Sequence, residues 1–181
     1  MDFYEKTISS KTIFKGKVFE VLTQEVLLND NSKAGREIII HNGGAAVLAM
    51  DSSDFVILVK QYRKGAEREM LEIPAGKLEP GENPKDCAIR ELEEEIGASA
   101  KDIYGLCEFF PTPAYCSEKI SIYFASGLTF TEQHLDTGEF LEIVKIPFHE
   151  AIDMVMRGDI TDAKTMIALL KANEVLMLSK K

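Results

Sequence analysis

Gly76-Lys77-Leu78-Glu79-Pro80-Gly81-Glu82-Asn83-Pro84-Lys85-Asp86-Cys87-Ala88-Ile89-Arg90-Glu91-Leu92-Glu93-Glu94-Glu95-Ile96-Gly97-Ala98 is a loop that becomes a helix. Asn83 suits the N-cap and Pro84 the first helical position, because proline lacks the N–H that a first turn leaves unpaired. Gly97 suits the left-handed residue just past the helix end. Between these marks Ala88, Ile89, Leu92 and Ile96 form one stripe at helical spacing, and Glu91, Glu94 and Glu95 form another. The acidic stripe is unfavourable on its own terms. Like charges at i and i+4 repel, and acids near a helix C-terminus oppose its dipole. Two readings follow: a solvated acidic face, or a site for a hard cation, which prefers oxygen ligands.

On the N-terminal side, residues 12–42 read as a meander of about three strands. Val18–Leu28 and Ile38-Ile39-Ile40 flank the turn Asn29-Asp30-Asn31-Ser32, and Asn42-Gly43-Gly44 marks a boundary. The buried-type runs Ala45–Met50 and Phe55–Val59, separated by a polar turn, predict a hairpin. Leu71–Pro74 is a further short strand. On the C-terminal side, strands are expected at Tyr104–Phe110, Ile120–Ser126 and Leu141–Ile146, with a polar connection over Thr129–Glu139. Helices are expected at Phe148–Arg157 and Asp162–Leu178. Strands and helices mix without βαβ regularity. The fold class is therefore α+β, a mixed sheet flanked by helices, with the candidate boundary dividing residues 1–43 from 44–181.

The 181 residues carry 21 Lys+Arg against 30 Asp+Glu, a formal net charge of −9. A nucleic-acid footprint normally needs a basic face, so no nucleic-acid partner is expected. No apolar run approaches the roughly 18 residues of a membrane span, and the N-terminus lacks the basic and apolar regions of a signal peptide. Cys87, Cys107 and Cys116 are an odd number without paired spacing, and His41, His134 and His149 are isolated in sequence. A reduced cytoplasmic setting is the expectation.

The segment Gly76-x5-Glu82-x7-Arg90-Glu91-Leu92-x-Glu94-Glu95-x-Gly97-Ala98 resembles the signature of the Nudix hydrolases, with all seven fixed identities matched over 23 residues. Ala98 is smaller than the bulky residue usual at the final position. The resemblance implies an α/β/α sandwich of Nudix type and hydrolysis of a nucleoside diphosphate linked to another group. It implies Mg²⁺, with Mn²⁺ an open alternative, held by Glu91 and Glu95, with Glu94 as a further ligand or sharing a second ion, and the Ala75 carbonyl assisting. It makes Arg90 an organiser of the glutamates, and Glu82 a ligand through water or a brace for the loop.

Phe109-Phe110-Pro111-Thr112-Pro113-Ala114-Tyr115-Cys116-Ser117-Glu118 reads either as a rigid loop ending a strand or as a mark of the ADP-ribose pyrophosphatase branch, which has a proline 16 residues after the signature glycine. Gln61-Tyr62-Arg63, Arg36-Glu37-Ile38 and Glu72-Ile73-Pro74-Ala75-Gly76 also resemble segments of that branch. The branch implies a small N-terminal antiparallel β-sheet domain over residues 1–43 ahead of a catalytic domain over 44–181, and a homodimer made through that β-domain, with substrate clamped between subunits. It implies Arg36, Arg63, Pro113 and Glu118 at the substrate; Phe14 and Phe19 are options for stacking on adenine. It places the general base on a late loop. The matching segment offers Glu139 first, then Glu142, then Asp136. The expected reaction is hydrolysis of ADP-ribose to AMP and ribose 5-phosphate. Alternatives are another nucleotide sugar such as GDP-mannose, a damaged nucleotide, or a catalytically silent ligand-binding module on the same fold.

Overall fold

The computed structural model describes residues 3–178. These residues form two compact units, one of residues 3–43 with Phe110–Lys119, the other of Gly44–Phe109 with residues 120–178.

The first unit is an antiparallel sheet of β1 (Lys6–Lys15), β2 (Phe19–Leu27) and β3 (Lys33–His41), in that order. The first strand begins at Lys6, six residues before the expected start. Its segment Lys6–Lys11 is mostly polar and carries no apolar alternation. Pairing with β2, from Lys6↔Leu27 onward, makes it a strand. The Phe110–Lys119 segment lies along β3. Ile39 N–H donates to Tyr115 O at 2.7 Å, and Ser117 N–H donates to Ile39 O at 2.9 Å.

The second unit has a mixed sheet of β4 (Gly44–Met50), β5 (Phe55–Arg63), β8 (Ala98–Phe109), β9 (Ile120–Phe130) and β10 (Leu141–Pro147). The order is β10-β5-β4-β9-β8. Two short strands, β6 (Arg68–Glu72) and β7 (Ala75–Lys77), pair with β5 and β4 respectively. The expected hairpin of β4 and β5 is paired only at Ala49↔Ile57 and Met50↔Val56. Beyond that the strands part, each taking one of the short strands. β7 was not expected: Ala75-Gly76-Lys77 has no β-propensity signal, and its strand character comes from docking on Gly44–Ala46. β8 starts at Ala98, well before the expected Tyr104. Gly97 turns the chain directly into a strand that pairs with β9, and β9 in turn runs to Phe130, into the expected polar connection.

β4 is buried on both faces because it pairs in parallel with β9 at the centre of a layered structure. Its residues divide by the strand period of two. Ala45, Val47 and Ala49 pack with Cys87, Ala88, Leu92 and Ile96 of α1 (Pro84–Ile96). Ala46 and Leu48 face the opposite way. They pack with Ala151 and Val155 of α2 (Phe148–Arg157) and with Ala168, Leu169 and Ala172 of α3 (Ala163–Leu178). The unit is thus an α/β/α sandwich. No helix among the described residues is long and apolar enough to cross a membrane.

Candidate active site on the first helix

α1 is built as its punctuation dictates. Asn83 Oδ1 accepts from Lys85 N–H at 2.9 Å, and Gly97 adopts φ 60°, ψ 45° with its N–H turned back to the Glu93 and Leu92 carbonyls. The apolar stripe docks on the sheet. The buried arc is wider than that stripe, however, and takes in Glu91 at 8% exposure and Glu95 at 4%. Burial of this depth excludes the solvated-face reading for these two carboxylates.

The surrounding loop fixes both of them. Gly76 lies so close to Glu91 that a Cβ there would stand 1.6 Å from Oε1. Ala75 N–H donates to Glu95 Oε2 at 3.0 Å. Arg90 is the local clamp. Its Nε donates to Glu82 Oε1 at 3.1 Å, and its Nη1 donates to Glu91 Oε1 at 2.7 Å and to Glu94 Oε2 at 2.9 Å. Glu82 also accepts from Glu79 N–H at 2.9 Å, so it braces the loop. Arg90 holds the Glu82 carboxyl below its usual range. Cys87, buried beneath, is pushed up to about 12, so its thiol is no nucleophile.

The charges do not balance at Glu91 and Glu95. Burial raises Glu91, and the charges of Glu94 and Glu139 add to that, against Arg90 pulling down. Burial pushes Glu95 up to about 8, with Glu91 and Glu139 adding repulsion and the Ala75 N–H and Arg63 opposing it. Among the described residues no three His, Cys, Asp or Glu side chains form a group set to hold a metal. Arg90 engages three of the glutamates, Glu82, Glu91 and Glu94. The donor set still fits a hard cation: two buried carboxylates short of positive charge match an ion that takes one or two carboxylates and completes its shell with water and phosphate.

The other candidates fall into three places. Glu139 is exposed, on a loop close enough for its charge to bear on both Glu91 and Glu95. That loop is strapped to the end of α1. Thr131 N–H donates to Gly97 O at 2.6 Å, Gln133 Nε2 to Glu95 O at 2.5 Å, and His134 N–H to Glu94 O at 3.0 Å. These bonds satisfy carbonyls that a helix end leaves open. Glu142 is instead held by Lys60 at 2.7 Å across β10 and β5. Asp136 O accepts from Glu139 N–H at 3.0 Å, closing a turn. Arg63 forks onto Glu72, Nε to Oε1 and Nη2 to Oε2, both at 2.7 Å.

In the first unit, Arg36 forks onto Glu5. Pro113 follows Thr112, whose carbonyl accepts from Cys116 N–H at 3.0 Å. Glu118 Oε1 lies 3.5 Å from His41 Nδ1, which itself accepts from Gly43 N–H at 3.0 Å. Phe14 and Phe19 touch each other, with ring centroids 5.9 Å apart.

Two glycines make separable predictions. A Cβ at Gly97 would meet Thr131 O at 2.7 Å and Gln133 N at 2.8 Å, on top of a positive φ. Gly97→Ala is expected to cost about 2 kcal/mol, and so to lower Tm by roughly 4–8 °C, and to cut kcat because the strap carrying Glu139 is displaced. At Gly76 the obstacle is the far end of a flexible side chain. Gly76→Ala is expected to leave Tm within about 2 °C while lowering kcat/KM at least about tenfold, since Glu91 must swing away. Calorimetry and steady-state rates on the two variants check both.

Reasoning from sequence missed what lies behind Arg63. Glu72, 1% exposed, also accepts from Lys164 Nζ, and Lys164 lies 3.0 Å from Asp162. Burial pushes Glu72 up, but Arg63 and Lys164 outweigh it and leave its carboxyl below the usual range. The available signal was a lysine, Lys164, four residues before Ala168 on the buried stripe of α3.

Comparison with known proteins agrees with this geometry. The NUDIX domain model matches residues 41–169. The chain is 39% identical over 180 residues to an ADP-ribose pyrophosphatase of Bacillus subtilis (strain 168), covering 97% of each. It is 39% identical over 169 residues to a methanol dehydrogenase activator of Bacillus methanolicus, covering 92% of this chain and 91% of the relative. A crystal structure of an ADP compounds hydrolase superposes with a TM-score of 0.86 at 25% identity, over 99% of this chain and 98% of that one. A loop-helix unit with crowded, buried glutamates, set on an α/β/α sandwich and matched over most of its length, places this chain in the Nudix family.

Proposed function

We propose that the chain hydrolyses the diphosphate bond of ADP-ribose, giving AMP and ribose 5-phosphate, with Mg²⁺ as its metal and Mn²⁺ as a working substitute. The observation that carries the reading is the buried pair Glu91 and Glu95, which lacks the positive charge that a diphosphate-binding cation supplies. The likeness over nearly full length to an ADP-ribose pyrophosphatase supports the choice of substrate. Glu91 and Glu95 would hold the ion, with Glu94 on the same face and the Ala75 carbonyl beside it. When bound, the ion offsets phosphate charge and polarises the attacking water. The protein's own groups do the rest. Arg63, partly exposed and fixed by Glu72, offers its remaining N–H groups to phosphate oxygens. Glu139 takes the proton of the attacking water on its carboxylate, and Arg90 keeps Glu91 and Glu94 in place.

The test is phosphate-ester release from a panel of ADP-ribose, GDP-mannose and oxidised nucleotides, with magnesium. ADP-ribose is expected to give the highest kcat/KM, with AMP and ribose 5-phosphate as products. A higher value for GDP-mannose overturns the substrate assignment while keeping the chemistry, and no turnover of any compound favours a silent binding module. We further propose a homodimer through the first unit's sheet, on the strength of exposed Ile8, Ile13, Phe14, Val18 and Phe19. Light scattering checks it: a mass twice 20.2 kDa is expected.

A further inference from the structure

We propose that Lys164, acting through Glu72, is a positioning residue that sets Arg63 for the diphosphate of the substrate. The inference rests on the hydrolase reading above and adds residues to it. Glu72 is a buried anion between two cations. Its Oε1 is taken by Arg63 Nε, and its Oε2 is shared by Arg63 Nη2 and Lys164 Nζ. Both fork bonds together fix the plane of the guanidinium, since a single bond would leave it free to turn. Arg63 nonetheless stays 42% exposed in its side chain, so its outer N–H groups face away from Glu72. Arg63 feels the charge of Glu95 as well as those of Glu72 and Asp162.

Lys164 shares the burden of neutralising Glu72. With it in place, Arg63 need not spend its whole charge on the carboxylate behind it, and keeps positive field for a ligand in front. Lys164 is itself steered by Asp162, which also caps α3 by accepting from Thr165 N–H at 3.0 Å. Thr165 Oγ1 then accepts from Ile73 N–H at 2.8 Å, next to Glu72 in sequence. The start of α3 is in this way bolted to the strand end that carries the carboxylate.

The experiment is a double-mutant cycle of Lys164→Met and Arg63→Ala, read by calorimetric binding of inorganic pyrophosphate with magnesium present, and in parallel by KM and kcat for ADP-ribose. Lys164→Met alone is expected to weaken pyrophosphate binding and raise KM about tenfold, with kcat within about threefold, in the range of coupled neighbours. In the Arg63→Ala background the same change is expected to move both by less than about twofold. Equal effects in the two backgrounds, or an unaltered pyrophosphate Kd, overturn the proposal. The binding arm stands even if ADP-ribose is not turned over, a result that sinks the substrate reading alone. Should Lys164→Met fail to fold, Asp162→Asn replaces it. Asparagine preserves the cap but loosens Lys164, and a two- to threefold weaker pyrophosphate Kd, about the low end for coupled neighbours, is expected. An unchanged Kd there also overturns the role.

Discussion

Glu95→Gln is expected to abolish most turnover while making the metal-free protein more stable. The two outcomes have one cause. Glu95 is a nearly buried carboxyl whose neighbours include Glu91 and Glu139, and its ionisation is pushed up to about 8. In the unfolded chain it ionises near 4.5, the ordinary value. Between those two values the native state holds a proton that the unfolded state has released. Stability in the absence of metal therefore falls as pH rises through this window, and the loss is complete above pH 8. Glutamine keeps the shape and can still accept from Ala75 N–H, but it never ionises. At pH 8.5 with chelator, the variant is expected to melt on the order of 5 °C above wild type, and the gap should close toward pH 4.5. With magnesium the ranking reverses for activity. Removing one of two buried anions proposed to hold the ion is expected to lower kcat by about 10²–10³-fold, equivalent to roughly 3–4 kcal/mol. A variant that retains activity within a few-fold of wild type sinks the metal assignment. One that melts at the same temperature as wild type at high pH shows that Glu95 is not the strained charge the geometry makes it.

The helix at the centre of this site was legible because its information is local. A cap, a proline, a terminal glycine and two stripes need no partner to be read, and α1 runs over the residues they predict. α2 likewise follows from Gly158, and α3 runs over Ala163–Leu178 against the expected Asp162–Leu178, with Asp162 just ahead of it accepting from Thr165 N–H. The strands were less legible where pairing outranks propensity. Lys6–Lys11, Ala75–Lys77 and Ala98–Lys101 are strands because a neighbour supplies hydrogen-bond partners, and no residue in them says so. The same division holds at the site. Glu91, Glu94, Glu95 and Arg90 sit on one helix at fixed spacing and were named from it. Glu72 and Lys164 meet across 92 positions of sequence, and only folding brings them together. The strap of Thr131–His134 on the end of α1 is of this second kind. Its bonds go to backbone carbonyls, which carry no side-chain signature.

That strap underlies the last prediction, Glu139→Gln, expected to lower kcat by about 10²–10⁴-fold with KM little changed. Three acids on this segment are candidates for the role of base, and Glu139 is the one we propose. Glu142 is tied to Lys60 at 2.7 Å across two strands, and a carboxylate held there is poorly placed to swing. Asp136 contributes its carbonyl to the turn that carries Glu139. The charge of Glu139 bears on both Glu91 and Glu95. Its exposure leaves it free to move toward water, and the strap prevents the loop from leaving with it. A base acts in the transition state, not in binding, so the loss belongs in kcat. Glu142→Gln and Asp136→Asn, made alongside, are expected to stay within about threefold of wild type, because surface changes away from the reacting atoms have small effects. If Glu142→Gln instead carries the hundredfold loss and Glu139→Gln does not, the assignment moves to β10, and Lys60 must release Glu142 during the reaction.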